Sequence, residues 1–546
     1  MMKIQIHKIA AVMLLAGLFS CDDYLDTTPT DRISDLVIWE NEKNVQLYVN
    51  GFYPYIDRYG QFGGAQFNGS LTEGLTDTFK YGSYVPGSKA GDANRYVFTP
   101  EVIGPTSNLL DVWSETYERI RRVNEFLVGL EQYSVFDEET NDLYRGQARF
   151  FRAFLYFQLA KRHDGVILYT DMNLQKDKPL STAAETWDLI ADDLDFAASV
   201  LPEAGAWPAS ETGRVTKGAA WALKSRAMLY AERWQEAKDA ADEVINSPHY
   251  ALTDNYEDSW KGGNSESILE YNYLLNDPNH SFDKDYATYG EIENQGGSGT
   301  PTQEMVESYE NKSGMTVNWA PWHGNTSVVP PYEDLDPRFH ATIIYPGSEW
   351  QGKTMTNSVE GENGRYMAYR EQTYAQGRTT TGYYLKKLRD PENTDLITMP
   401  STQAWVEIRL AEVYLNRAEA NYRLGKSGDA MADINAVRSR PGIAMPAKTG
   451  LTGANLFEAI RKERKVELAY EGHLYWDMRR WKLAHTAYQN YRVHGFRVTG
   501  IPGALNFEYV DADLEDRIFL QRTYILPIPY NELANNSAIE QYDPWK

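Results

Sequence analysis

Apolar positions recur at helical spacing through most of the chain. Trp113, Tyr117, Ile120, Asn124 and Leu127 step along one face, and Leu143, Ala148, Phe151, Leu155 and Leu159 repeat the pattern beyond an acidic break at 137–139, which predicts two antiparallel helices. An earlier helical pattern covers 40–55, and another covers 185–201 until Pro202 ends it. Ala219, Ala222, Leu223, Arg226 and Tyr230 form one face, and after a turn near Arg233 a second is formed by Trp234, Ala237, Ala241, Val244 and Ile245. Small alanines on facing helices permit close approach, and the pair is as long as a tetratricopeptide unit. A similar pair is predicted at 405–424 and 430–437, closed by Pro441. The expected fold is mainly α: a tetratricopeptide-like helical scaffold of stacked pairs.

Two stretches break this theme. Residues 60–105 are rich in Gly, Tyr, Phe and Asn without a sustained period and read as an aromatic loop. Residues 250–400 carry Gly262-Gly263, Gly296-Gly297 and Pro330-Pro331, with strand-like pieces at 342–345 and 383–388, and read as a loop-rich subdomain inserted into the scaffold. The expected organisation is thus 39–249 as N-terminal scaffold, 250–400 as the loop-rich part and 401–546 as C-terminal scaffold, with a strand-like 524–529 near the end.

The N-terminus sets the compartment. Lys3, His7 and Lys8 precede an apolar run at 9–19, a signal peptide over 1–20. Leu18, Phe19 and Ser20 before Cys21 resemble a bacterial lipobox, so Cys21 is the expected lipidation site, with 21–38 as its tether. Asp22 and Asp23 resemble the surface-export signal of lipoproteins in certain Gram-negative bacteria. As the sole cysteine, Cys21 excludes an internal disulfide. The 546 residues carry a net charge of −23, and removal of Lys3 and Lys8 with the signal peptide makes this −25. Such a balance argues against nucleic acid and anionic lipid surfaces as partners.

The most chemically loaded stretch is 457–481, with Glu463, Glu467 and Glu471 at i, i+4 spacing beside His473 and Asp477. Carboxylates beside a histidine and cations suit acid/base chemistry. On a helical wheel, however, Arg464, Glu467 and Glu471 share the sector of Leu456, Phe457, Ile460 and Leu468. Buried carboxylates must be paired, so the expectation is a structural ion-pair network in which Arg464 compensates Glu467 and Glu471. Catalysis by Glu467 and Glu471 as a glycosidase pair is the competing reading.

Gly347, Gly352, Lys353 and Thr354 match the phosphate-loop spacing, but the polar, glycine-broken residues that follow offer no helix, and the match reads as accidental. No HExxH or Gly-x-Ser-x-Gly pattern is present. Asp254, Glu257 and Asp258 are an acidic loop cluster with calcium-ligand chemistry that a solvated loop explains equally well. No metal or cofactor is expected.

Several marks in order resemble SusD/RagB-type proteins: the lipobox, Val215-Thr216-Lys217-Gly218, Pro301-Thr302, Asp336-Pro337-Arg338-Phe339, the 418–438 block, 463–481 and 524–529. The resemblance implies a cell-surface lipoprotein that binds nutrient oligosaccharide and sits as a lid on a SusC-like TonB-dependent outer-membrane transporter. Some such proteins serve peptide import instead. Carried over by position, it points to Phe79, Tyr81, Tyr84 and Asn94 in the first loop and to Tyr286, Tyr289, Trp319 and Trp322 in the second, with Trp350 a weaker candidate. Sugar recognition needs ring faces plus planar polar groups, and core packing competes with that role at each ring. Trp319 and Trp322, flanking Ala320-Pro321 in a polar loop, form the best pair.

Overall fold

The computed structural model describes residues 38–60, 65–67, 71–82, 103–173, 175, 177–360, 377–513 and 516–546. The scaffold contains α1 (Glu42–Asn50), α2 (Trp113–Tyr133), α3 (Glu138–Ala160), α4 (Ala183–Val200), α5 (Lys217–Tyr230) and α6 (Trp234–Ile245). The loop-rich part adds α7 (Gln303–Glu307) and α8 (Pro337–Thr342), and the C-terminal part α9 (Leu410–Arg423), α10 (Ser427–Arg438), α11 (Gly453–Glu467) and α12 (Leu474–Arg480), besides single turns of helix. Helices α2 to α6 pack in sequence, each on the next, and α6 packs on α9, which carries α10 and α11. Two runs of helix pairs far apart in sequence therefore form one stack.

Local chemistry sets the helix starts. The Asp137 carboxylate accepts from Thr140 N at 2.8 Å, Thr182 and Glu185 form a reciprocal capping box, and the Thr216 hydroxyl accepts from Ala219 N. Burial of Gly218, Ala219, Ala222 and Ala227 on α5 and of Ala237, Ala240 and Ala241 on α6 lets their backbones approach closely. On α2, the Trp39 ring lies where a side chain on Gly129 would stand, so the segment leading into α1 closes on α2 at this glycine.

The strands are short: β1 (Phe79–Tyr81), β2 (Ile103–Gly104), β3 (Ser107–Asn108), β4 (Ser267–Tyr271), β5 (Gly299–Pro301), β6 (Asn325–Thr326), β7 (Ile343–Ile344), β8 (Glu349–Trp350), β9 (Lys353–Thr354), β10 (Tyr384–Leu385), β11 (Trp405–Arg409), β12 (Gln489–Tyr491), β13 (His494–Ile501) and β14 (Ala504–Asp511). Strand β1 pairs with β5, joining the first aromatic loop to the loop-rich part. Strands β6, β14 and β13 form a three-stranded antiparallel sheet. No helix among the described residues is long and apolar enough to cross a membrane.

Four local expectations are corrected. The segment 405–409 is strand β11, paired with β4 through Trp405 opposite Tyr271, and the helix begins only at Leu410. Its alternating large side chains favour a pleated edge over a first helical turn. The 524–529 segment forms no strand, because Pro527 and Pro529 lack the donors a ladder needs. Instead, Leu526 N donates to the carbonyl of Arg162 at 2.8 Å. The 457–481 stretch is two helices and not one: α11 ends at Glu467, Tyr470 and Gly472 adopt left-handed backbone, and α12 follows, so Glu471 lies in the turn. The long β13–β14 hairpin lies where no element was expected.

Candidate functional site

Glu463, Glu467 and Glu471 of the charged C-terminal segment are buried and ion-paired. Glu467 is 0% exposed and faces three arginines: Arg338 at 2.9 Å, Arg409 at 2.8 Å and Arg440 at 3.0 Å. Glu471 receives Arg409 at 2.7 Å and Lys387 at 2.6 Å, and Glu463 receives Arg338 and Arg438. Arg464 is not their partner, contrary to expectation. It donates to Asp477 at 2.9 Å and to Asn416 at 2.7 Å, because its side chain leaves α11 toward α12 and α9. The compensating cations come from segments distant in sequence.

These environments fix the charge states. Burial opposes ionisation of Glu467, but the fields of Arg440, Arg409 and Arg338 outweigh it and hold the carboxyl far below its usual range. Glu471 is likewise lowered to about 2 by Arg409 and Lys387 against the cost of burial. A general acid needs the opposite shift. Glu73, which burial pushes up to about 7, is sealed at 1% exposure. It accepts from the backbone N–H of Gly472 at 2.8 Å.

The remaining chemistry-bearing motifs dissolve on folding. Gly347 to Thr354 forms the β8–β9 hairpin with no helix to receive a phosphate. Glu257 and Asp258 are paired with Lys386 and Lys261. Among the described residues, no cluster of three His, Cys, Asp or Glu side chains is placed to hold a metal.

The candidate ligand rings separate by exposure. Phe79 and Tyr81 on β1 are core residues, as is Tyr286, whose ring lies 4.4 Å from Phe282 and 6.0 Å from Phe79. Tyr289 is buried beneath the Arg378 guanidinium, 4.7 Å from the ring centre. Trp350 is clamped by Arg389 and donates to Glu291 at 3.0 Å. These rings leave no face for a sugar. Tyr84, Asn94 and Cys21 lie outside the described residues.

Trp319 and Trp322 come together. A single helical turn at Ala320–Trp322 sets their rings edge to face at 5.7 Å; Trp319 is buried as a base and Trp322 remains half-buried above it. Trp322 Nε1 donates to the carbonyl of Val328 at 3.0 Å, which fixes the ring. Around it lie exposed Val328 and Val329 and the amides of Asn325 and Asn506, joined at 2.7 Å. The shelf rests on the β6–β14–β13 sheet, where Tyr509 is sandwiched between His323 at 4.5 Å and His494 at 4.6 Å. Both histidines meet carboxylates of α7, His323 with Glu307 at 2.7 Å and His494 with Glu304 at 2.6 Å. Burial disfavours protonated His494, but the hydrogen bond and charge of Glu304 prevail and raise its pKa.

Sequence reading missed this sheet's contribution. The signal was present: Ile501-Pro502-Gly503-Ala504 between two alternating runs is a turn sequence, and Gly503 takes the left-handed conformation that such a turn requires.

The comparisons match this architecture over almost the whole chain. The SusD family profile covers residues 265–545, and a second profile, described as starch-binding associating with outer membrane, covers 23–229. SusD-like protein P25 of Formosa agariphila is 25% identical over 593 residues, spanning 99% of both chains. Two Bacteroides fragilis crystal structures superpose with this chain. One, a SusD-like protein, is 27% identical with a TM-score of 0.76 over 93% of this chain and 98% of its own. The other, a SusD-like carbohydrate-binding protein, is 24% identical with a TM-score of 0.77 over 92% and 100%. The protein described here belongs to the SusD family, and its tryptophan shelf stands on that family's mainly helical fold.

Proposed function

We propose that this protein is a non-catalytic, surface-exposed lipoprotein that binds oligosaccharide on the Trp322 shelf and delivers it to a SusC-like TonB-dependent transporter in the outer membrane. The observation that carries the reading is the shelf: a half-buried indole fixed at its nitrogen, with amides and apolar surface beside it. A pyranose offers an apolar face to such a ring and hydroxyls to such amides.

The outer-membrane association in the matched family description and the carbohydrate-binding description of a similar structure support the ligand class and the location. Anchoring through lipid on Cys21 follows from the lipobox-like N-terminus. The absence of catalysis is supported by the state of Glu467 and Glu471, both ionised and locked to arginine. Affinity electrophoresis of the soluble body in gels containing neutral polysaccharides, beside titrations with oligopeptides, tests the proposal. Retention by a glycan supports it; binding of peptides alone would replace the ligand class.

A further inference from the structure

Among the described Phe, Tyr and Trp residues only two are exposed: Tyr133 at 45% and Tyr530 at 60%. Tyr133 closes helix α2. Tyr530 overhangs a surface cavity of about 350 Å³, walled by the β2–β3 turn and the proline strap that precedes it. Its walls include Thr106, Ser107, Asn108, Pro527, Pro529 and Asn531.

The walls are rigid. Tyr530 N donates to the carbonyl of Pro105 at 2.9 Å, locking strap to turn. The strap is held from behind by Leu526 N on the Arg162 carbonyl and by Gln541, whose amide both accepts from Ile528 N and donates to Ile528 O at 2.9 Å. The Asn108 carboxamide oxygen accepts from Leu110 N at 3.0 Å, fixing the other wall. By contrast, the hydroxyls of Thr106 and Ser107 and the amide of Asn531 make no hydrogen bond among the described residues.

Charge is sparse in the cavity. Asp111 is the only charged side chain lining it, and that carboxylate already accepts from Trp113 N at 2.9 Å. An exposed phenol ring, three pyrrolidine surfaces, free hydroxyls and a free amide suit a neutral polyhydroxylated ring, in a volume at the lower end of the roughly 300–1,000 Å³ of ligand sites. The surroundings also differ from those of the tryptophan shelf. Leu110, Ile103 and Leu526 behind this cavity belong to a separate apolar cluster from the one holding Trp319 and Trp322.

We infer that the Tyr530 cavity is a second saccharide subsite, taking one neutral sugar residue of a glycan by stacking on Tyr530, with Asn531, Thr106 and Ser107 supplying hydrogen bonds. The inference rests on the reading that the protein binds glycan. It does not depend on which sugar the tryptophan shelf prefers. Two sites engaging one polymer raise its retention beyond either alone.

The test is affinity electrophoresis of the full soluble body, wild type beside Tyr530→Ala, Tyr530→Trp and Trp322→Ala, in a gel of whichever neutral polysaccharide retains the wild type. Tyr530→Ala is expected to weaken retention about tenfold, with Tyr530→Trp close to wild type. Unchanged retention in Tyr530→Ala, with weakened retention in Trp322→Ala, would overturn the second subsite alone. A folded wild type retained by no glycan would overturn both this inference and the reading beneath it.

Discussion

Arg338 donates to Glu467 across 2.9 Å, joining the start of helix α8 in the loop-rich part to the end of helix α11. Both side chains are essentially inaccessible, and Arg338 also binds Asp336 and Glu463. The segment that looks most catalytic in sequence is thus a joint between the helical stack and the loops that hold the tryptophan shelf.

Glu467→Gln should therefore act on stability. Neutralising the carboxylate leaves Arg338, Arg409 and Arg440 short of one buried negative charge, a change that typically costs about 3–5 kcal/mol. Chemical denaturation should show that loss, and the fraction still folded should bind glycan with unchanged affinity.

Acid should destabilise the fold in two windows. Burial lowers the His473 imidazole to about 4 and that of His163 to about 3. Below about pH 6.5 the unfolded chain binds protons on these groups while the folded chain does not, so stability falls with pH by up to ~1.4 kcal/mol per unit for each. His280, lowered to about 4 by burial, adds to this fall, whereas Glu73, pushed up to about 7 by burial, and His494, raised by Glu304, work in the opposite direction and offset part of it. The second window belongs to Glu412, Glu471 and Asp477, all lowered to about 2 by neighbouring cations against the cost of burial. Their stabilisation is complete above the unfolded carboxyl pKa near 4 and is lost as pH falls from there toward 2. Denaturation midpoints measured from pH 7.5 to 3 should decline from about pH 6.5 and steepen below 4.5.

The two tryptophans should separate by phenotype. Trp319→Ala removes a buried base and should cost about 3–5 kcal/mol in unfolding free energy. Trp322→Ala should lower the melting temperature far less and weaken glycan affinity by roughly 30-fold, about 2 kcal/mol. Melting curves and binding measured on the same preparations decide this.

Cys21→Ser should move the protein from the membrane fraction to the soluble fraction of cells and abolish fatty-acid labelling. Labelling that persists in this variant would refute the anchor assignment.

The helical stack was legible because its signals are local: spacing of apolar positions, the acidic break at 137–139, and Pro202 as a stop. The sheet beneath the shelf was harder, since β6 pairs with β14 from almost two hundred positions away and only the Pro502-Gly503 turn advertised the hairpin. Burial of the charges on α11 could be read from the wheel. Their partners could not, because Arg338, Arg409 and Arg440 reach Glu467 only through tertiary packing. For the same reason Phe79, Tyr81 and Tyr286 were indistinguishable from ligand rings in sequence. Tyr530 drew no notice, although its exposure is the largest of any described aromatic side chain.

Isothermal titration calorimetry of the soluble body with a retained glycan tests the central claim most directly, since it separates binding from turnover. Non-catalytic binding predicts discrete heats that saturate and return to baseline after each injection, and much weaker heats for Trp322→Ala. A sustained heat of hydrolysis lost in Glu467→Gln, or saturation that Trp322→Ala leaves untouched, would contradict the account.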